Sequence, residues 1–104
     1  MGVKKESKFQ YELIRQLELI FPGCIVFKND PTYIQGFPDL TILWNNKWAV
    51  LECKRSEKDL LKSLRSNPNQ AYYVELLNTM SFSSFIFPEN MEDVLYELQQ
   101  AFGI

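Results

Sequence analysis

Apolar residues at Phe9, Leu13, Leu17, Ile20 and Phe21 recur three and four apart within residues 5–21. That spacing predicts an amphipathic helix with one buried stripe, ended by Pro22-Gly23. Residues 24–28 (Cys-Ile-Val-Phe-Lys) predict a short strand, followed by a loop through Asn29-Asp30-Pro31 to Gly36, where turn-forming residues cluster. Two strand-like runs, 39–44 and 47–54, flank Asn45-Asn46. Asparagine tolerates the positive φ angles of a two-residue hairpin turn, so a β-hairpin is expected here. Residues 57–64 have helical character, and Pro68 opens a further helical run through Gln70, Tyr73, Val74 and Leu77. Residues 83–87 predict a short apolar strand stopped by Pro88. Residues 89–102 predict a last helix with Met91, Val94, Leu95, Leu98 and Phe102 inward and acids in its first turns. The order is αβββαβα, an α/β chain read as one domain over residues 1–104, without repeats or a dividing linker.

The hairpin fixes a register. With Trp44 opposite Lys47, Leu43 falls across from Trp48, Thr41 across from Val50, and Asp39 across from Glu52. Side chains alternate along a strand, so Asp39, Glu52 and Lys54 share one face, while Leu40, Ile42, Ala49, Leu51 and Cys53 fill the other. Away from this end both faces are largely apolar, as expected of central strands covered by helices on each side.

Composition narrows the chemistry. Of 104 residues, 46% are hydrophobic, enough for a core, and no apolar run approaches the roughly 20 residues of a spanning helix. The N-terminus lacks the apolar block of a signal peptide, so a soluble, cytoplasmic protein without a membrane partner is expected. With no histidine and two cysteines, Cys24 and Cys53, neither a zinc site nor a histidine-based triad nor a disulfide framework is expected. Catalysis would run on carboxylates, lysines or a bound hard cation. The net charge of −2 hides an asymmetry: residues 1–65 hold all 11 Lys and Arg against 8 Asp and Glu, whereas residues 66–104 hold 5 acids and no base. The basic candidates for an anionic partner are Lys4, Lys5, Lys8, Lys28, Lys54, Arg55, Lys58, Lys62 and Arg65.

An Asp-Glu pair about 5 Å apart at Cβ repels strongly unless a cation lies between. Carboxylate oxygens without His or Cys suit Mg²⁺ or Mn²⁺. Lys54, on the same face, would bring its ammonium beside that ion, where it can hold an attacking water or stabilise charge on a phosphate.

Gly36-Phe37-Pro38-Asp39, twelve residues, then Glu52-Cys53-Lys54 resembles the PD-(D/E)xK nuclease signature, and more closely the compact VRR-NUC type found alone in phage-encoded proteins. The resemblance covers nearly the whole chain, including the Gln of Pro68-Asn69-Gln70 and the strand after it. It implies a restriction-endonuclease-like αβββαβ core with a mixed four-stranded sheet and a C-terminal helix, located in the host cytoplasm if phage-encoded. It also implies Asp39 and Glu52 as metal ligands, the main-chain carbonyl of Cys53 as a third oxygen, and Lys54 as the catalytic lysine. The family tends to place a glutamate on the first helix. Glu6, with Gln10 beside it, lies within the apolar stripe, whereas Glu12 lies at its margin and Glu18 opposite, so Glu6 is the favoured further site residue and ligand. Gln70 shares a helical face with Tyr73, Val74 and Leu77, and its amide is placed to orient water or the lysine.

Lys28, Arg55, Lys58, Lys62, Arg65 and Lys8 are the expected DNA contacts, and Tyr33, Phe37 and Trp48 are candidates for stacking on bases. The expected activity is a Mg²⁺- or Mn²⁺-dependent endonuclease on DNA, selective for branched, flap or junction structures and needing no nucleotide cofactor. Alternatives are a Holliday-junction resolvase on the same site and an inactive DNA- or protein-binding module of the same fold. A homodimer is expected, because one site cuts one strand and two related by a twofold axis reach both. The acidic residues 66–104 are expected to face away from DNA, free to dock protein.

Overall fold

The computed structural model describes the backbone of residues 2–104 and the side chains of residues 7–104. Helix α1 (Gly2–Ile20) buries Phe9, Leu13 and Leu17 along its predicted stripe. Phe21 continues that stripe and is fully buried. Gly23 then turns the chain at φ +86°, a left-handed value that favours glycine.

Strands β1 (Ile25–Lys28), β2 (Leu40–Trp44), β3 (Lys47–Cys53) and β4 (Phe82–Ile86) form one sheet in the order β1-β2-β3-β4. The first two pairings are antiparallel and the last is parallel, so the sheet is mixed. The hairpin has the expected register: Trp44 faces Lys47, Leu43 faces Trp48 and Thr41 faces Val50. Among the described non-glycine residues only Asn45 has a positive φ, +55°, at the turn the sequence marks.

Between β3 and β4 lie two helices, α2 (Glu57–Ser66) and α3 (Pro68–Met80), where the sequence marks a helical run over 57–64 and another opened by Pro68. Ser56 caps α2 by accepting from the Asp59 amide at 3.1 Å, and Pro68 occupies the first turn of α3. After β4, a single 3₁₀ turn (Pro88–Asn90) precedes α4 (Met91–Ala101). The last helix therefore starts two residues later than the acidic run predicts. Asn90 explains the delay, because its side chain accepts from the Phe87 amide at 2.8 Å and donates to the Phe85 carbonyl at 3.2 Å.

The main core lies between one sheet face and helices α1 and α4. It joins Leu40, Ile42, Ala49, Leu51, Cys53 and Ile86 to Phe9, Leu13, Leu17, Phe21, Val94, Leu95, Leu98 and Phe102. At the hairpin end, Trp44 stacks on Phe102 at 6.1 Å between ring centres and donates its indole N–H to the Pro22 carbonyl at 3.0 Å. Helix α3 lies over the other face of β3 and β4, burying Val74 and Leu77, and its Asn78 side chain accepts from the Ser83 amide at 3.0 Å. Four strands and flanking helices thus form the α/β architecture the pattern predicts. Among the described residues no helix is long and apolar enough to cross a membrane.

Candidate active site

Asp39 sits one position beyond the Leu40–Leu51 pair, which places it across from Glu52. The Asn29 amide donates to the Asp39 carbonyl at 2.7 Å and so carries the β1–β2 ladder out to this residue. Its carboxylate turns toward β3, where Oδ2 accepts from the Cys53 amide at 2.9 Å. Glu52 is only 3% exposed. The Lys54 ammonium lies 3.6 Å from Glu52 Oε2 and donates to Gln70 Oε1 at 2.7 Å. Two strands and the start of α3 thereby bring Asp39, Glu52, Lys54 and Gln70 to one end of one sheet face.

Burial pushes the Asp39 carboxyl above its ordinary pKa, opposed by the Cys53 amide and by the positive charges of Lys54 and Lys28. A carboxylate in such a place is stabilised by any cation that reaches it. Among the described residues no three His, Cys, Asp or Glu side chains converge, so the acids gathered here are the Asp39–Glu52 pair.

Glu6 lies in α1, and its side chain falls outside the described residues, as do those of Lys4 and Lys5. Gln10 is half-buried, whereas Glu12 is exposed beside Lys8, Pro88 and Met91. Lys8, Lys28, Arg55, Lys58, Lys62 and Arg65 are exposed, but Lys54 is buried, which separates it from the surface cations. Arg55, Lys58 and Lys62 line a hollow of about 350 Å³ with Ser56 and Asp59. Within it the Arg55 guanidinium holds Asp59 by two bonds of 2.8 Å, a pairing that the four-residue spacing signals. Of the aromatic candidates, Phe37 packs on Tyr73 at 5.7 Å and Trp48 is half-buried, while Tyr33 is 84% exposed.

Asn29, which the motif does not include, and Gly36, which heads it, both position the segment before Asp39. Asn29 donates from Nδ2 to the Pro38 carbonyl at 2.9 Å and accepts from Thr41 Oγ1 at 3.1 Å, fixing the segment before Asp39 to the sheet. Gly36 has φ +87°, and a Cβ there would stand 2.6 Å from Asn69 Cβ. The Gly36–Asp39 segment therefore rests directly on the turn of α3 that carries Gln70. These contacts close a ring: the loop touches α3, Gln70 holds Lys54, Lys54 pairs with Glu52, and the Cys53 amide holds Asp39.

Compared with models of known families, with curated proteins and with solved structures, the chain finds no match.

Proposed function

We propose that this chain is a divalent-metal-dependent endonuclease that hydrolyses DNA phosphodiester bonds, of the PD-(D/E)xK type its motifs resemble. The observation that carries the reading is the convergence of Asp39, Glu52, Lys54 and Gln70 at one sheet end, with Lys54 held between the Glu52 carboxylate and the Gln70 amide. The donor set fits a hard cation: two partly or fully buried carboxylates on adjacent strands, one of them disfavoured as an anion by its burial. Mg²⁺ is commonly held by one or two carboxylates together with substrate phosphate oxygens. Asp39, Glu52 and the Cys53 carbonyl would hold it, with Glu6 as a further ligand. Bound there, the ion supplies Lewis acidity toward a phosphate oxygen and makes a coordinated water easier to deprotonate.

The protein's own part is orientation and charge. Gln70 takes one donor direction of the Lys54 ammonium, which aims the others across the face shared with Asp39 and Glu52. The ammonium then orients the attacking water and neutralises charge developing on the phosphate. Water adds to phosphorus, the P–O ester bond breaks, and the leaving sugar oxygen takes up a proton. Exposed Lys28, Lys58, Lys62 and Arg65 would contact phosphates, a contribution that weakens as salt rises.

The test is cleavage of duplex, flap and four-way-junction DNA with Mg²⁺ or Mn²⁺, with chelator, and with Asp39→Ala. The expected result is metal-dependent cutting that favours a branched substrate and is lost in the variant. Preference for four-way junctions identifies a resolvase. Cutting that survives Asp39→Ala overturns the assignment. Pairing of two copies is part of the proposal, and sedimentation showing a monomer both with and without DNA would remove it.

A further inference from the structure

Beside the site, Asn29, Asp30, Tyr33, Ile34 and Phe37 line a hollow of about 240 Å³. It adjoins the main chain at Asp39, since the Asn29 amide donates to the Asp39 carbonyl and Asn29 Nδ2 donates to the Pro38 carbonyl. Thr41 Oγ1 donates to Asn29 Oδ1, and Phe37 packs on Tyr73 of α3, so two of the lining residues lie on the sheet face that carries the four site residues.

The loop that forms it is braced. Asp30 Oδ1 accepts from both the amide (2.9 Å) and the hydroxyl (2.7 Å) of Thr32. The Tyr33 amide donates to the Asp30 carbonyl and the Phe37 amide to the Ile34 carbonyl. Gly36 and Phe37 rest on α3 through Asn69 and Tyr73. Yet this braced loop holds Tyr33 84% exposed. A tyrosine held out on an ordered loop offers a flat apolar ring that loses little conformational freedom when something stacks on it.

We propose that this hollow receives an unpaired nucleobase of the bound DNA, stacked on Tyr33, so that the site acts where a base has left the helix. The inference rests on the nuclease reading and names its substrate class. Three features favour a base. Tyr33, Ile34 and Phe37 give the hollow an aromatic and apolar wall, as a base face requires. Asp30 adds a carboxylate to the lining, its pKa lowered by the two bonds from Thr32, and that carboxylate repels a phosphate but accepts from a base amino group. Exposed Lys28, next to Asn29, offers the adjoining phosphate its countercharge. A paired base presents only its edge in the grooves, so stacking here selects a base already free of its partner.

The test is equilibrium binding, without divalent metal, to a duplex with one unpaired 2-aminopurine and to the same duplex fully paired, for the wild type, Tyr33→Ala and Tyr33→Phe. The wild type should bind the unpaired form about tenfold more tightly, with altered 2-aminopurine fluorescence. Tyr33→Ala should lose that preference while its binding to paired duplex stays within about twofold, and Tyr33→Phe should keep it. A wild type without preference, or a Tyr33→Ala variant weakened equally on both, overturns the inference. Cleavage that depends on Asp39 would then still stand for the nuclease reading, whereas absence of such cleavage refutes that reading whatever the binding shows.

Discussion

The sheet face under α1 and α4 carries Leu40, Ile42, Ala49, Leu51, Cys53 and Ile86, all buried. The face built from the residues between them carries Asp39, Thr41, Val50, Glu52, Lys54 and Ser83. Strand alternation makes both from one stretch of chain. The first face closes completely, because α1 and α4 each offer a continuous apolar stripe. The second is closed over β3 and β4 by α3, and it accepts costs that the first avoids: a buried glutamate, a buried lysine, and Ser83 Oγ without a hydrogen-bond partner among the described residues. Stability is concentrated on one side, and on the other, polar groups are held in place against their preference for water.

Leu98→Ala should test the first face most severely. The side chain is fully buried, and its truncation should cost about 2–5 kcal/mol, read by urea denaturation. Cleavage by the molecules that remain folded should change little, since the variant leaves the Asp39–Glu52–Lys54–Gln70 contacts alone.

Gly36→Ala should break the second face more cheaply in stability, by about 1–3 kcal/mol from its left-handed backbone, and more severely in activity. The added Cβ meets Asn69 and pushes the Asp39 segment away from α3. Asn69→Gly removes the nearest of the clashing atoms, so the double variant should recover part of both losses. Equal activity loss per folded molecule in Leu98→Ala and Gly36→Ala would erase the distinction between the faces.

Asp39→Asn should sharpen it by gaining stability. Burial raises the native pKa of Asp39 above its unfolded value. The native state therefore favours the protonated form, and the wild type loses stability as pH rises from the unfolded carboxyl value, about 3.9, through the raised native one. Asparagine has no charge to bury and can still accept from the Cys53 amide. In urea titrations without metal, the variant should gain on the wild type between pH 3 and pH 7. Saturating Mg²⁺ should then reverse the order by stabilising only the wild type, by about 2.7 kcal/mol at a hundred times its dissociation constant.

The fold was legible in the sequence where periodicity and turn chemistry agree. Phe9, Leu13 and Leu17 give α1 its stripe, and Asn45-Asn46 sets a register that carries Asp39 across from Glu52. Boundaries set by tertiary pairing were not legible. Strand β4 begins at Phe82, one residue before the predicted run, because Phe82 pairs with Ala49. Helix α4 begins late because Asn90 bonds backward. At the site, Asp39, Glu52, Lys54 and Gln70 were readable from residue type and face. Gly36 was readable as the head of the Gly-Phe-Pro-Asp run, but its contact with Asn69 of α3 was not, and neither was the bond from Asn29 to the Pro38 carbonyl, because no local pattern encodes them. The separation of buried Lys54 from the exposed cations also needed α3 in place.

The central claim, that Asp39 and Glu52 form one divalent-cation site, is tested most directly by calorimetric titration with Mn²⁺ of the wild type, Asp39→Asn, Glu52→Gln and Leu98→Ala. Saturable binding is expected in the wild type and in folded Leu98→Ala, weakened at least about tenfold in each carboxylate variant. A wild type that binds no Mn²⁺, or carboxylate variants that bind it equally well, would contradict the account.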